Sequence, residues 1–202
     1  SDGVQGQVYT LWKLLKHYQV PVFLFINKMD QPGTDRAAVC REIQRELDSR
    51  CLGFTGNLFD EAMQEELALC DETLMERYLE GEPVTEQQIR GLIRNRKVFP
   101  CYFGSALKVQ GVEELLQGLE RYMDTPERSA DFGARIYKIS RDPKGERLTW
   151  MKITGGSLKV KTLLSGRGDV SWQEKADQIR IYSGAGCRLV PEAEAGCICA
   201  VS

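Results

Sequence analysis

Residues 20–26 read VPVFLFI, an apolar run in which no polar residue alternates with an apolar one. A strand with one face in water alternates between the two kinds of residue, whereas a strand buried on both faces of a parallel sheet does not. The run therefore predicts a buried parallel strand, and residues 98–103 (VFPCYF) predict a second one. Apolar residues at helical spacing surround both runs, at residues 8–15, 36–47, 58–79, 85–95 and 111–123.

Helices that alternate with buried strands up to residue 124 predict an α/β layer, with a helical insertion at about residues 50–97. Two core strands are few for an independent parallel sheet, so we expect the chain to begin within a longer domain. Beyond residue 128 the alternation has period two, and glycines at 155–156, 166–168 and 184–186 predict turns. Short strands joined by glycine turns predict an antiparallel β-barrel. The predicted domains are residues 1–127 and 128–202.

Composition and charge narrow the class of protein. With 42% hydrophobic and 28% charged residues the chain has a globular composition, and no apolar run approaches the ~20 residues that span a bilayer, so no membrane partner is expected. Seven cysteines and one histidine favour free thiols in a reducing cytoplasm over a disulfide scaffold or a zinc site. Residues 129–202 carry 12 Lys and Arg against 8 Asp and Glu, whereas the preceding part is acidic. This asymmetry suggests two modules with different partners.

The residues after the first apolar run, Asn27-Lys28-Met29-Asp30, have the side chains needed to recognise a purine. Ligands of open α/β sheets bind at the carboxyl ends of strands, which is where this tetrapeptide falls. The Asp30 carboxylate can accept parallel N–H bonds from the ring nitrogen and exocyclic amine of guanine, and adenine has neither donor there. Asn27 can hold a neighbouring loop and contact the base edge, and the aliphatic stem of Lys28 can cover one ring face. The alternative without a function is that the strand ends in a polar turn in which Lys28 and Asp30 are solvated.

A second tetrapeptide, Gly104-Ser105-Ala106-Leu107, follows the second apolar run, so both loops are expected at one edge of a parallel sheet. A small residue at Ala106 allows its backbone N–H to approach the guanine oxygen, and the hydroxyl of Ser105 can brace Asp30. Alone, the segment is more typical of a strand-to-helix turn that favours small residues for packing. Together with the first tetrapeptide it corresponds to the fourth and fifth signature motifs of GTP-binding proteins.

The other motifs of a GTPase are absent from the sequence. It contains no G-x-x-x-x-G-K-[ST] phosphate loop, and hence no cradle for phosphates and no magnesium-binding hydroxyl. Asp142-Pro143-Lys144-Gly145 matches D-x-x-G formally, but it lies between two predicted strands, where these residues favour a hairpin turn. We therefore predict that this segment does not hydrolyse GTP and binds guanine nucleotides weakly.

These residues give the chain a resemblance to the translational GTPases of the elongation factor G family. Residues 2–7 (DGVQGQ) leading to residues 25–30 resemble the stretch after the second switch, and Gly104-Ser105-Ala106 with Gly111-Val112 resembles the closing motif and final helix of the G domain. Residues 145–164 (GERLTWMKITGGSLKVKTLL) resemble the opening hairpin of the barrel domain II. Within the family, residues 27–35 and 182–196 are more similar to the tetracycline-resistance ribosomal protection proteins.

The resemblance implies a fold, a site and partners. It implies the second half of a P-loop GTPase-type parallel sheet followed by a truncated barrel, as a fragment of a longer GTPase. Asn27, Lys28, Asp30, Ser105, Ala106 and Leu107 would bind GTP or GDP, with Mg²⁺ held by residues outside this segment and no catalytic residue within it. The partners would be ribosomal RNA and proteins in the cytoplasm, and neither a membrane nor DNA. The sequence shows no clear cluster of aromatic and basic residues on which RNA bases could stack, and Trp150 and Trp172 are expected in the core. No RNA-contact residue is therefore predicted.

Three functions stay open from the sequence. The first is tetracycline protection, in which the full-length GTPase dislodges the drug from the small ribosomal subunit. The second is a housekeeping translocase of the elongation factor G type, which would share every residue of the guanine site. The third is a non-catalytic interaction module in which the two tetrapeptides are coincidences.

Overall fold

The computed structural model describes residues 3–124, 127–166, 172–184 and 186–202. The chain divides into two compact units, Ser1–Thr125 and Pro126–Ser202, and each is described by itself. Several predicted features lie partly outside the described residues. These are the middle of the linker, part of the 166–168 turn and the centre of the 184–186 turn, and the first two residues of the chain lie outside as well.

The first unit is an α/β layer around a three-stranded parallel sheet with the strand order β1-β3-β2. Its elements are α1 (Gly6–His17), β1 (Leu24–Ile26), α2 (Arg36–Glu46), β2 (Cys51–Gly53), α3 (Glu61–Ala68), α4 (Glu72–Leu79), α5 (Glu86–Arg94), β3 (Phe99–Phe103) and α6 (Val112–Tyr122). The two predicted strands correspond to β1 and β3, which are direct neighbours. The first is shorter than predicted, since it begins at Leu24, and only Ile26 in it is buried. The third strand, β2, was not predicted, because its three residues lie in a stretch that contains two glycines.

Side chains of β3 face two separate cores, because alternate residues of a strand point to opposite faces of its sheet. Phe99 and Cys101 belong to a core that also contains Ile43 of α2. Tyr102 belongs to the other core, with Leu67 of α3 and the remaining helices of the insertion. Burial on both faces explains why the sequence of this strand does not alternate, and it confirms that part of the prediction.

Side-chain caps set where the insertion helices begin. The carboxylate of Asp60 accepts the Met63 N–H at 2.9 Å at the start of α3, and that of Asp71 accepts the Leu74 N–H at 3.1 Å at the start of α4. The cap at Asp71 divides the predicted helical segment 58–79 into two helices, a break that apolar spacing did not reveal. A capping box is formed by Thr85 and Gln88 at the start of α5, as predicted.

The second unit is antiparallel. Its strands are β4 (Gly133–Arg141), β5 (Arg147–Gly155), β6 (Ser157–Lys159), β7 (Leu163–Ser165), β8 (Gln173–Lys175), β9 (Ile179–Ser183), β10 (Gly186–Val190), β11 (Glu192–Glu194) and β12 (Ile198–Val201). Five of them form a sheet in the order β10-β9-β12-β5-β4, and β11-β6 and β7-β8 form two short ribbons.

One core joins this sheet to the ribbons. Met151 and Ile153 of β5 pack with Leu158 of β6 and Ala193 of β11, and all four are buried. On β5 they alternate with the exposed residues Lys152 and Thr154, which is the predicted period of two. The predicted fold class, a parallel α/β sheet followed by an antiparallel β structure, is confirmed.

The D-x-x-G match at residues 142–145 is the turn between β4 and β5, as predicted. The carboxylate of Asp142 accepts the N–H groups of Lys144 and Glu146 at 2.8 and 2.9 Å, and Gly145 has φ +85°. The expectation for the tryptophans is wrong for Trp172, which is 38% exposed. Trp150 is partly buried and its indole N–H donates to the Ser140 hydroxyl at 2.8 Å.

Candidate nucleotide-binding site

The two loops singled out by the sequence leave the sheet side by side. Ile26 and Phe103 are the last paired residues of β1 and β3, so residues 27–30 (the first loop) and 104–110 (the second loop) begin at the same edge. Backbone hydrogen bonds join them: the Gly104 N–H donates to the Ile26 carbonyl, and the Met29 N–H donates to the Gly104 carbonyl, both at 3.0 Å. The parallel pairing of two buried strands therefore brings the loops together.

Asn27 connects the two loops through its side chain. Its Oδ1 accepts the Lys28 N–H at 2.8 Å and the Ala106 N–H at 2.9 Å. Lys28 has φ +64°, a left-handed conformation that costs a non-glycine residue about 1–3 kcal/mol and therefore needs support from its surroundings. The sequence predicts that the Ala106 N–H approaches the guanine oxygen, whereas in this structure that N–H donates to Oδ1 of Asn27.

Asp30 is held by the second loop. The ammonium of Lys108 lies 2.9 Å from Oδ2 of Asp30, and the hydroxyl of Ser105 also hydrogen-bonds the carboxylate. These two hydrogen bonds, that of Lys108 being the stronger influence, lower the pKa of Asp30 below its ordinary value of 3.8. Asp30 is therefore a carboxylate at neutral pH, and its side chain remains about one-fifth exposed.

Close backbone contacts fix the shape of the second loop. A Cβ on Gly104 would lie 2.0 Å from the Gln110 carbonyl oxygen, and a Cβ on Gly111, which has φ +74°, would lie 2.4 Å from the Phe103 carbonyl oxygen. Ser105 and Gln110 pair as an isolated bridge, so the loop closes on itself directly beside Asp30. The glycine before Ser105 is thus a steric requirement of the loop.

The predicted site residues do not all converge on one point. Asn27, Asp30, Ser105 and Ala106 are linked by the contacts above, whereas Lys28 is exposed and Leu107 is 91% exposed. The site is an open surface at the loop ends. A cavity of about 540 Å³ in the same unit, which Phe54, Tyr102 and Tyr122 help to line, includes none of the predicted residues.

Lys108 also contacts the candidate site, through Asp30, although neither tetrapeptide includes it. It directly follows the second tetrapeptide, so its position and charge are the sequence signal for this contact. Within the described residues, no group of three or more His, Cys, Asp and Glu side chains is placed to hold a metal ion. None of the helices in the described ranges has both the length and the apolar character of a membrane-spanning segment.

Comparison with known families identifies the class of protein. The family model described as the elongation factor Tu GTP binding domain matches residues 1–125. The chain therefore belongs to this family of translational GTPases, and membership implies guanine-nucleotide binding. The resemblance inferred from the loops and the barrel hairpin is confirmed.

Curated relatives of this chain include tetracycline resistance proteins. The tetracycline resistance protein TetO of Streptococcus mutans is 28% identical over 181 residues, which are 81% of this chain and 28% of that protein. The protein of the same name from Campylobacter jejuni is 27% identical over 199 residues, 90% of this chain and 30% of that protein. The chain thus spans less than a third of the length of these relatives.

A solved structure agrees in fold. The crystal structure of a protein from Thermus thermophilus matches with a TM-score of 0.80, covering 99% of this chain and 37% of that one. Sequence identity is 22%, so the likeness concerns the fold.

Proposed function

We propose that the first unit recognises the guanine base of GTP and GDP through the first and second loops. The observation that carries the proposal is that an ionised Asp30 and the Asn27–Ala106 link lie at one sheet edge, on loops joined by backbone hydrogen bonds. In open α/β sheets this edge is where ligands bind.

The donor and acceptor chemistry fits guanine. An ionised carboxylate accepts hydrogen bonds and donates none, and guanine offers two parallel N–H groups on one edge. Adenine has no such pair of donors on that edge, so it would gain no hydrogen bond from the carboxylate. Asn27 holds the two loops in register, Ser105 braces Asp30, and Lys28 and Leu107 supply exposed aliphatic surface for the faces of the ring.

The phosphates and Mg²⁺ are not assigned to residues of this chain, because its sequence has no phosphate-loop motif. We therefore expect base recognition with millimolar rather than tight affinity, and no GTP hydrolysis by this segment alone. Phosphate release that depends on Mg²⁺ and on this chain would contradict the second expectation.

We further propose that the longer protein hydrolyses GTP on the ribosome, in the cytoplasm, and protects it from tetracycline. The similarity to proteins named for tetracycline resistance supports this role. The surplus of positive charge in residues 129–202 suits a surface that meets ribosomal RNA. The alternative, an elongation factor G type translocase, is distinguished in cells: the gene should protect a sensitive strain from tetracycline and should not rescue loss of the endogenous factor.

The base-recognition proposal is tested by titrating the ¹⁵N-labelled chain with GDP, guanosine and ADP while recording amide chemical shifts. GDP and guanosine should shift the amides of Lys28, Asp30 and Ala106 with similar dissociation constants, because the phosphates find no cradle. ADP should leave them unchanged. Equal effects of ADP and GDP, or shifts confined to other parts of the chain, would overturn the proposal.

A further inference from the structure

The turn of the second loop brings the ammonium of Lys108 to the carboxylate of Asp30. The Lys108 N–H donates to the Ser105 carbonyl at 3.2 Å, and the Gln110 N–H donates to the same carbonyl at 3.0 Å, so the chain reverses directly after Ser105. This reversal directs the Lys108 side chain to the first loop, where Nζ lies 2.9 Å from Oδ2 of Asp30. The two residues are 78 positions apart in the sequence.

The contacts use only part of the capacity of the carboxylate. Its two oxygens have about four lone-pair positions, and Lys108 and Ser105 each use one of them. The backbone N–H of Asp30 also contacts the carboxylate, so about one position stays open for the N–H groups of guanine. Lys108 is also 55% exposed, so its side chain lies at the rim of the site rather than beneath it.

We propose that Lys108 is a positioning residue for guanine recognition, which orients the Asp30 carboxylate through the contact of its ammonium with Oδ2 while leaving acceptor capacity for the base. The inference rests on the proposed guanine site and adds a residue that none of its motifs includes. Lys108 supplies the charge that acts on the carboxylate, and the Ser105 hydroxyl supplies a neutral hydrogen bond.

The Lys108 ammonium could also have the opposite role and compete with guanine for Asp30, which the same experiment detects. If the ammonium instead occupied the position of the guanine N–H groups, it would compete with the base, and its removal would strengthen binding. The two roles predict affinity changes of opposite sign, so a single neutral substitution separates them.

The experiment compares Lys108→Met, Lys108→Arg and Lys13→Met, an exposed lysine of α1, by NMR titration with GDP across a pH series. At neutral pH we expect Lys108→Met to weaken GDP binding about two- to fivefold, as for a partly exposed ion pair. Loss of the ammonium raises the pKa of Asp30, so binding should be lost at a higher pH on acidification. Lys108→Arg should restore both properties, and Lys13→Met should match the wild type.

The outcomes separate this inference from the proposed function. Equal or tighter GDP binding by Lys108→Met, with an unchanged acid midpoint, would overturn the role of Lys108 while the wild type still prefers GDP to ADP. Absence of that preference in the wild type would instead overturn the guanine site itself. The amide spectrum of each variant verifies folding, which substitution of an exposed side chain should preserve.

Discussion

The side-chain oxygen of Asn27 accepts a hydrogen bond from the backbone N–H of Ala106 at 2.9 Å, although 79 positions separate the two residues. The same oxygen accepts the N–H of Lys28, whose backbone is left-handed. One amide side chain therefore supports the strained turn of the first loop and joins it to the second. The geometry of the proposed guanine site therefore depends on this residue whether or not it contacts the base.

Asn27→Ala should weaken GDP binding about tenfold, because two backbone N–H groups lose their acceptor and the loops lose their connection. The measurement is the dissociation constant from the NMR titration. The matched control is Asn57→Ala, which removes a comparable local bond, from the Phe59 N–H to Oδ1, in another loop of the same unit. A variant at Asn27 that binds as tightly as the control would contradict the linking role.

Gly104→Ala should destabilise the first unit by about 1–3 kcal/mol, because its Cβ would overlap the Gln110 carbonyl and the Phe25 ring. The second loop should also lose its shape, so guanine binding should fall. Gly91→Ala is the control, because nothing lies within 4 Å of a Cβ at that position. Alanine favours the interior of helix α5 over glycine, so the free energy of unfolding should rise by about 0.5–1 kcal/mol. Denaturant unfolding measures both, and a stabilised Gly104→Ala variant would refute the steric argument.

Thr85→Ala should lower the free energy of unfolding of the first unit by about 1 kcal/mol, since it removes the side chain that accepts the Gln88 N–H in the capping box. Thr85→Ser keeps the hydroxyl and should stay near the wild type. Urea unfolding distinguishes the two variants. Equal stability of both would mean that the capping box contributes nothing to the insertion.

The second unit should lose stability in acid through Asp142. The hydrogen bond from Arg180, at 3.0 Å, lowers the pKa of Asp142 below its ordinary value of 3.8. A carboxyl whose pKa is lower in the folded state contributes stability that is fully present above its unfolded pKa and disappears as pH falls through its folded pKa. The unfolding free energy of Asp142→Asn should therefore fall less steeply with decreasing pH than that of the wild type.

Arg180→Met should flatten that slope as well, whereas Arg188→Met, an exposed position on β10, should leave it unchanged. The unfolding free energy is followed through amide signals of the second unit over an acidic pH series. An Asp142→Asn variant with the wild-type slope would show that another carboxyl governs acid unfolding.

Features encoded by neighbouring residues were predictable from the sequence. The positions of strands β1 and β3 follow from unbroken apolar runs, the start of α5 from Thr85 and Gln88, and the β4–β5 turn from Asp142 to Gly145. In each case residues within a few positions of one another decide the conformation, so a short stretch of sequence is enough to predict it.

Apart from the shared edge of the two loops and the hydrogen bond of Ser105 to Asp30, features that depend on distant residues were not predictable. Strand β2 has three residues and exists through its pairing with β3, nearly fifty positions later. The contact of Lys108 with Asp30 and the donation of the Ala106 N–H to Asn27 both require the two loops to be adjacent already. The sequence predicted that the two loops lie at one edge of the sheet, but not these two bonds between them.

The most direct test of base recognition is to exchange the carboxylate of Asp30 for an amide. Asp30→Asn converts one acceptor into a donor, and xanthine differs from guanine by the complementary change at the same edge. We predict that the wild-type chain prefers GDP to xanthosine diphosphate in equilibrium competition, and that Asp30→Asn reverses this order. An unchanged preference for GDP in the Asp30→Asn variant would contradict the assignment of Asp30 as the residue that reads the base.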